Sequence, residues 1–207
     1  MKYIFVAGAP GSKWSSVVKN IYYSPSLDQS DYREEWTYYH DASGQLELMH
    51  LGAYFDPGME SDLPEDITTL DRDQLAAIFD APFSGSGTRI IKSHIFCYER
   101  NIAHLKQLFP ESPIVLVHRP NDACLGWWVK CGHFNITYPS YHSYYKNLRE
   151  MSVIIARQNR DLLAVWDGYP GQKVQNNHQL CNVLGIELPP NEYQQTYRSN
   201  DIEVQVI

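Results

Sequence analysis

The sequence predicts an α/β protein: a three-layer sandwich in which helices cover a central parallel sheet of four to five strands. Three observations point there. Short β-rich apolar runs at residues 2–7, 88–92 and 113–117 alternate with stretches whose apolar residues recur at helical spacing. The first run feeds directly into a Gly/Pro/Ser turn and then a helical pattern. The third run is almost wholly apolar, as expected of a strand covered on both faces. Strands alternating with helices imply right-handed crossovers, and 207 residues suffice for one domain with its own core, spanning 1–207.

The elements follow in order. Residues 2–7 read as a strand and 13–22 as a helix, with Trp14, Val17, Val18 and Ile21 on one face. From 24 to 64, Pro25, Gly44, Gly52, Pro57, Gly58 and Pro64 interrupt aromatic and acidic clusters, which predicts loops with short elements. In 71–80, Leu75, Ile78 and Phe79 share a helical face, and acids occupy the first turn, where the helix dipole favours them. Ser84-Gly85-Ser86-Gly87 precedes the strand at 88–92. Ile102, Leu105, Leu108 and Phe109 mark a helix over 98–109, closed by Pro110 before the strand at 113–117. Helices are expected over 122–129 and 141–164, the second with a stripe of Leu148, Met151, Ile155 and Leu162. The short run 162–166 also suits a fourth strand, because periodicity alone does not separate the two. A last helix over 174–184 stops at Gly185, and 187–207 reads as a Pro- and Gln-rich C-terminal tail.

The formal charge of −7 argues against general nucleic-acid binding. The charge is unevenly placed, however. Residues 28–80 hold 14 acids and only Arg33 and Arg72, net −12, leaving 15 bases and 10 acids elsewhere, net +5. No apolar run approaches the roughly 18 residues of a membrane helix. The apolar stretch after Lys2 is too short for an export signal, so a cytoplasmic location is expected. Cys97, Cys124, Cys131 and Cys181 form no C-x-x-C pair and are expected as reduced thiols. Without export, the glycosylation pattern of Asn135-Ile136-Thr137 is a coincidence.

In a parallel α/β sheet, ligands bind at the carboxyl ends of strands. Three such ends carry chemistry. The first is Gly8-Ala9-Pro10-Gly11-Ser12-Lys13-Trp14-Ser15-Ser16. Its glycines let amide N–H groups turn inward, a helix N-terminus follows, and Lys13 and three serines complete an anion cradle. It departs from a Walker A loop, since Gly8 to Lys13 is one residue short and Trp14 replaces the magnesium-binding hydroxyl. The plain alternative is a strand-to-helix turn with an incidental Lys. The second end is Lys92-Ser93-His94-Ile95, where a His held by rigid backbone suits proton abstraction near neutrality, or a structural hydrogen bond. The third is Val117-His118-Arg119-Pro120-Asn121-Asp122. There Arg119 offers a planar fork to phosphate or a salt bridge to Asp122, and no Asp ends the strand to organise magnesium.

Together these motifs resemble the sulfotransferase family, which uses 3′-phosphoadenosine 5′-phosphosulfate (PAPS) as donor on a P-loop-type α/β fold. Cytosolic members carry P-K-S-G-T-T-W after the first strand, K-[TS]-H-[LI] after a later one and R-(N/D)-x-x-D-x-x-x-S after the next. Here Lys92-Ser93-His94-Ile95 matches best. Pro10-Gly11-Ser12-Lys13-Trp14-Ser15-Ser16 is similar, with its Lys displaced by two places. Arg119 and Asp122 sit one residue closer than in the family, whose Ser falls on Gly126, with Trp127 next. The family's G-x-x-G-x-W-K segment is missing. The resemblance spans about residues 2–186 and is weakest over 24–84, the variable segment where an acceptor-side insert is expected.

The resemblance implies in-line sulfuryl transfer to a hydroxyl or amine, with adenosine 3′,5′-bisphosphate as the second product and no metal. His94 takes the acceptor's proton. Lys13 and the amides of 11–16 stabilise charge on the leaving 5′-phosphate, Arg119 binds the 3′-phosphate, and Lys92 faces the sulfate or pairs with an acid. Trp36 stands where relatives stack the adenine, in competition with Tyr38, Tyr39, Trp127 and Trp128. The implied partner is a small-molecule, sugar or peptide acceptor, disfavouring anions if the acidic stretch covers that side. Oligomeric state is left open. A P-loop kinase and a non-catalytic anion-binding domain of the same fold are the alternatives.

Overall fold

The computed structural model describes residues 1–31, 52–57, 63–130, 144–190, 197 and 201–207. Strand β1 (Tyr3–Gly8) is buried along its whole length and lies near the middle of the sheet. Helix α1 (Trp14–Tyr22) follows, then a two-residue strand β2 (Ala53–Tyr54). Helix α2 (Arg72–Asp80) begins with a capping box: Asp71 accepts from the Gln74 N–H, and Gln74 returns a side-chain bond to the Asp71 amide. Strand β3 (Arg89–Lys92), a 3₁₀ turn at His94–Cys97, helix α3 (Glu99–Leu108), strand β4 (Ile114–His118) and helix α4 (Asn121–Lys130) come next. The last part comprises α5 (Leu148–Gly168), β5 (Gln172–Val174), α6 (Asn177–Leu184) and β6 (Glu203–Val206).

The strand order is β2-β3-β1-β4-β6-β5, and the first four strands are mutually parallel. The expectation of a wholly parallel sheet is corrected by β6, which runs antiparallel to both β4 and β5 and makes the six-stranded sheet mixed. Part of the expected tail is therefore a sheet strand, with Val204 and Val206 buried. Its signal was only four residues of alternation, and its partner lies some ninety positions upstream, a pairing that local periodicity cannot reveal. Residues 162–166 belong to α5 and form no strand. The run 174–184 is likewise divided: Val174 ends β5, and Asn176 caps α6 through the Gln179 N–H. Gly185 stops α6 as expected, at φ 65°.

The helices form two groups. α3 and α4 both pack on α5, which lies against β1 and β4, whereas α1 packs on β1 and on α6, the latter lying against β5 and β6. This is compatible with an α/β sandwich. On one side, Tyr3 and Phe5 of β1 meet Phe79, Phe96 and Phe109 in largely edge-on contacts at 5.4–5.9 Å between ring centroids. Phe79 is fully buried there, and truncation to Ala would cost about 3–5 kcal/mol. On the other side, Val6, Lys92 and Tyr54 pair across β1, β3 and β2 and form one row of the pleat. Trp14, from the first turn of α1, meets Tyr54 edge-on at 5.5 Å. A lysine thus lies in a row that is otherwise apolar and aromatic.

Candidate functional site

The carboxyl ends of the four parallel strands are tied to one another by polar contacts. Gly8 ends β1, and the chain turns through Pro10 and Gly11 at φ 82°. A side chain at Gly11 would put Cβ 2.1 Å from the Cys124 carbonyl oxygen, so the loop can approach α4 only with glycine there. Ser12 N–H donates to the Ala9 carbonyl at 2.9 Å, and Ser16 N–H to the Lys13 carbonyl at 2.9 Å. Lys13 is the N-cap of α1 in the left-handed conformation, φ 61° and ψ 24°, and provides no side-chain cap. The first N–H groups of α1 therefore receive no side-chain acceptor from this position. The Lys13 ammonium lies 4.6 Å from the Trp127 ring centroid, toward α4. Ser15 is buried, and Ser16 and Lys13 are half-buried.

His94 sits just beyond β3 and is 3% exposed. Its Nδ1 lies 2.5 Å from the Gly8 carbonyl oxygen, which fixes the proton on Nδ1 and leaves the lone pair on Nε2. The indole of Trp14 stacks on the imidazole at 4.0 Å and 15°, and Tyr54 closes it edge-on at 5.6 Å. Burial lowers the His94 pKa first; Asp56 and the Gly8 carbonyl oppose that shift, and Lys92 adds to it.

Asp56 was missed by sequence reasoning. It follows β2 by two residues, is fully buried, and serves as an acceptor for several donors. Its Oδ1 receives the Ser93 hydroxyl at 2.8 Å and the His94 N–H at 2.9 Å. Its Oδ2 receives the Tyr54 hydroxyl at 2.7 Å and the Tyr145 hydroxyl at 3.0 Å, and lies 3.8 Å from His94 Nε2. The available signal was an acid closing a short apolar run, Ala53-Tyr54-Phe55-Asp56-Pro57, the same strand-then-polar form as the other three ends.

Lys92 is fully buried, and its Nζ has no hydrogen-bond partner among the described residues. Nζ stands 6.0 Å from the Trp14 ring centroid. Burial pulls its pKa down to about 7, against an opposing pull from buried Asp31. Asp31 makes no ion pair with it. Instead Asp31 accepts the Tyr22 hydroxyl at 3.0 Å, and burial raises its own pKa. The expected alternative of Lys92 simply pairing with an acid is therefore not what the described residues form.

Arg119, 8% exposed, ties β4 to the glycine loop. Its Nη1 donates to the Gly11 carbonyl at 3.1 Å and the Ala123 carbonyl at 2.9 Å, and no salt bridge to Asp122 forms. Asn159 of α5 holds the Arg119 carbonyl at 2.8 Å and the Asn121 side chain at 2.7 Å. Gly126 lies on α4 with no atom of the described residues within 4 Å of a would-be Cβ. Trp36, Tyr38 and Tyr39 lie outside the described residues.

The structure thus joins the loop 8–16, Lys92, His94 and Arg119 at one edge of the sheet. Three donors in it are buried and without acceptors among the described residues: Lys92 Nζ, Ser12 Oγ and Arg119 Nε. A buried unmatched donor costs about 1–3 kcal/mol, and an oxyanion, rich in acceptors, is the ligand chemistry that matches such a set. The imidazole supplies one basic nitrogen at the same edge. Comparison with models of protein families, with characterised proteins and with solved structures finds no match to this chain.

Proposed function

We propose that this chain is a sulfotransferase that uses 3′-phosphoadenosine 5′-phosphosulfate to modify a hydroxyl or amine of a small-molecule, sugar or peptide acceptor. The observation that carries the reading is the set of buried donors without acceptors among the described residues, Lys92 Nζ, Ser12 Oγ and Arg119 Nε, around a glycine loop and a helix start beside one basic imidazole nitrogen. The donor would supply an activated sulfuryl group and release adenosine 3′,5′-bisphosphate. Lys13 and the first-turn amides of α1 would hold the phosphate side, with the helix dipole adding to their positive field. Lys92 becomes cationic readily enough near neutrality to meet a sulfate oxygen, and an anion beside it would favour its charged form. His94, with Nδ1–H engaged by Gly8, receives the acceptor's proton on Nε2. Arg119 braces the loop through Gly11 and keeps Nε for an acceptor.

The test is thermal stabilisation by adenosine 3′,5′-bisphosphate compared with ATP plus magnesium, followed by sulfate transfer from the labelled donor to a panel of phenols, sugars and tyrosine peptides. Stabilisation by the bisphosphate with transfer to one acceptor class supports the reading. Stabilisation by ATP–magnesium alone would point to a kinase. A second reading, a non-catalytic anion-binding domain, is favoured by the depth of His94 at 3% exposure and by the commitment of Arg119 Nη1 to two backbone carbonyls. Bisphosphate binding without transfer to any acceptor would support it.

A further inference from the structure

We propose that Asp56 is the positioning residue for His94, holding the imidazole in a single orientation and giving the proton that arrives on Nε2 a carboxylate to face. The proposal rests on His94 being the base of the reaction proposed above.

The geometry separates two tasks between the two oxygens of one buried carboxylate. Oδ1 fixes where the residue sits: it takes the His94 N–H at 2.9 Å and the Ser93 hydroxyl at 2.8 Å, pinning the backbone just past β3. Oδ2 addresses the ring, 3.8 Å from Nε2. That distance is too long for a hydrogen bond with the neutral ring, whose Nε2 is an acceptor and has no proton to offer. It is short enough for a charge on the ring to be felt strongly in a buried setting. Gly8 on the opposite side of the ring accepts from Nδ1–H, so the two contacts and the stacked Trp14 define the imidazole plane, its tautomer and its rotation.

When the acceptor's O–H or N–H bond gives up its proton, the Nε2 lone pair forms the new N–H bond, and the ring becomes an imidazolium. Every ionisable group that faces the imidazolium then matters. Asp56 from the end of β2 favours it, and Lys92 from β3 opposes it. Asp31 acts on Lys92 rather than on the ring. From β2 and from the segment before α5, the Tyr54 and Tyr145 hydroxyls donate to the same Oδ2, at 2.7 Å and 3.0 Å. They spread the carboxylate's charge and moderate its pull on the ring. Among the described residues Asp56 is therefore the acidic counterweight to burial and to Lys92 at this position, and the two tyrosines moderate it.

Opposite-signed variants test this. In the full chain, ¹⁵N NMR of the imidazole ring gives the tautomer and the titration midpoint of His94, with His94→Ala identifying its signals among the eight histidines. Wild type should show the Nδ1–H tautomer. Asp56→Asn should lower the midpoint, with the proton kept on Nδ1 by the Gly8 carbonyl. Tyr145→Phe, which removes one donor from Oδ2, should move the midpoint upward. In turnover assays Asp56→Asn should shift the acid limb of the pH profile to lower pH and reduce kcat by tenfold or more, with bisphosphate affinity within a few-fold of wild type. An unchanged midpoint in Asp56→Asn, or shifts of the same sign in both variants, would overturn the assignment. Should Asp56→Asn fail to fold, an unmoved midpoint in Tyr145→Phe overturns it by itself. Full turnover in His94→Ala would instead remove the base reading, and the ring titration would still report separately whether Asp56 orients the imidazole.

Discussion

Lys92→Met exchanges a buried ammonium for an apolar chain of similar length, a swap that the pocket of Trp14 and Tyr54 should accept with little repacking. Burial lowers the Lys92 pKa from 10.5 to about 7. Each unit corresponds to about 1.4 kcal/mol, so keeping the charged form inside the fold costs up to about 5 kcal/mol. The direction with pH follows from proton counting. Between about 7 and 10.5 the unfolded chain holds the lysine proton and the folded chain releases it, so folding becomes more favourable as pH rises. Below about 7 both states are protonated and the cost is complete. Lys92→Met should therefore be more stable than wild type by a few kcal/mol at or below pH 7, and the advantage should shrink to nothing near pH 10.5.

Urea denaturation of both proteins in steps from pH 6 to about pH 10 reads the difference directly, at unchanged m-value. Because Lys92 partly offsets the burial of Asp31, the same comparison in an Asp31→Asn background removes any contribution from that carboxyl. A stability difference that does not vary with pH, or a variant less stable than wild type at pH 7, would refute the reasoning. The same variant should lose most of the stabilisation given by adenosine 3′,5′-bisphosphate with sulfate, because the charge that disfavours the empty fold is the one that would meet the anion.

The other expectations concern the loop and the ring. Gly11→Ala places Cβ 2.1 Å from the Cys124 carbonyl at φ 82°. Left-handed strain plus forced movement of α4 should cost about 2–5 kcal/mol, read as a lower Tm, whereas Gly126→Ala, mid-helix on α4 and clear of the described residues, should raise stability by up to about 1 kcal/mol. Equal effects from the two substitutions would contradict the packing described. His94→Ala should leave bisphosphate affinity within a few-fold and reduce turnover by at least about a hundredfold, measured by isothermal titration and labelled-donor kinetics. Lys13→Ala should lower the maximal rate by more than it weakens the acceptor KM, as expected of a contact that tightens in the transition state; an unchanged kcat would remove it from the reaction.

Much of this molecule was legible in the order of its residues. The helices over 71–80 and 98–109 and the strands at 2–7 and 113–117 fall within a residue or two of the observed elements, because apolar spacing is set locally by whether a segment buries one stripe or both faces. The same holds for the grouping of the site: Gly8 to Ser16, Lys92-Ser93-His94 and Arg119 each follow an apolar run, and a parallel sheet brings such ends to one edge. What sequence could not provide was direction and pairing. Arg119 read as a fork for phosphate or, as the plain alternative, a salt bridge to Asp122, yet its Nη1 turns to the Gly11 and Ala123 carbonyls. That choice depends on how closely the loop approaches α4, which no spacing along the chain records.

The sequence by itself determined the alternation of strands and helices, the glycine turn and the identities of the reactive side chains, since these follow from local backbone preference and chemical type. Only the tertiary structure decided that β6 pairs antiparallel beside β4, that Lys92 lies buried without a partner among the described residues, and that Asp56 reaches His94 across 38 positions of chain. Burial and long-range register set those outcomes. A side chain's pKa and partners depend on what the rest of the fold takes out of water around it, and that is fixed only when distant segments meet.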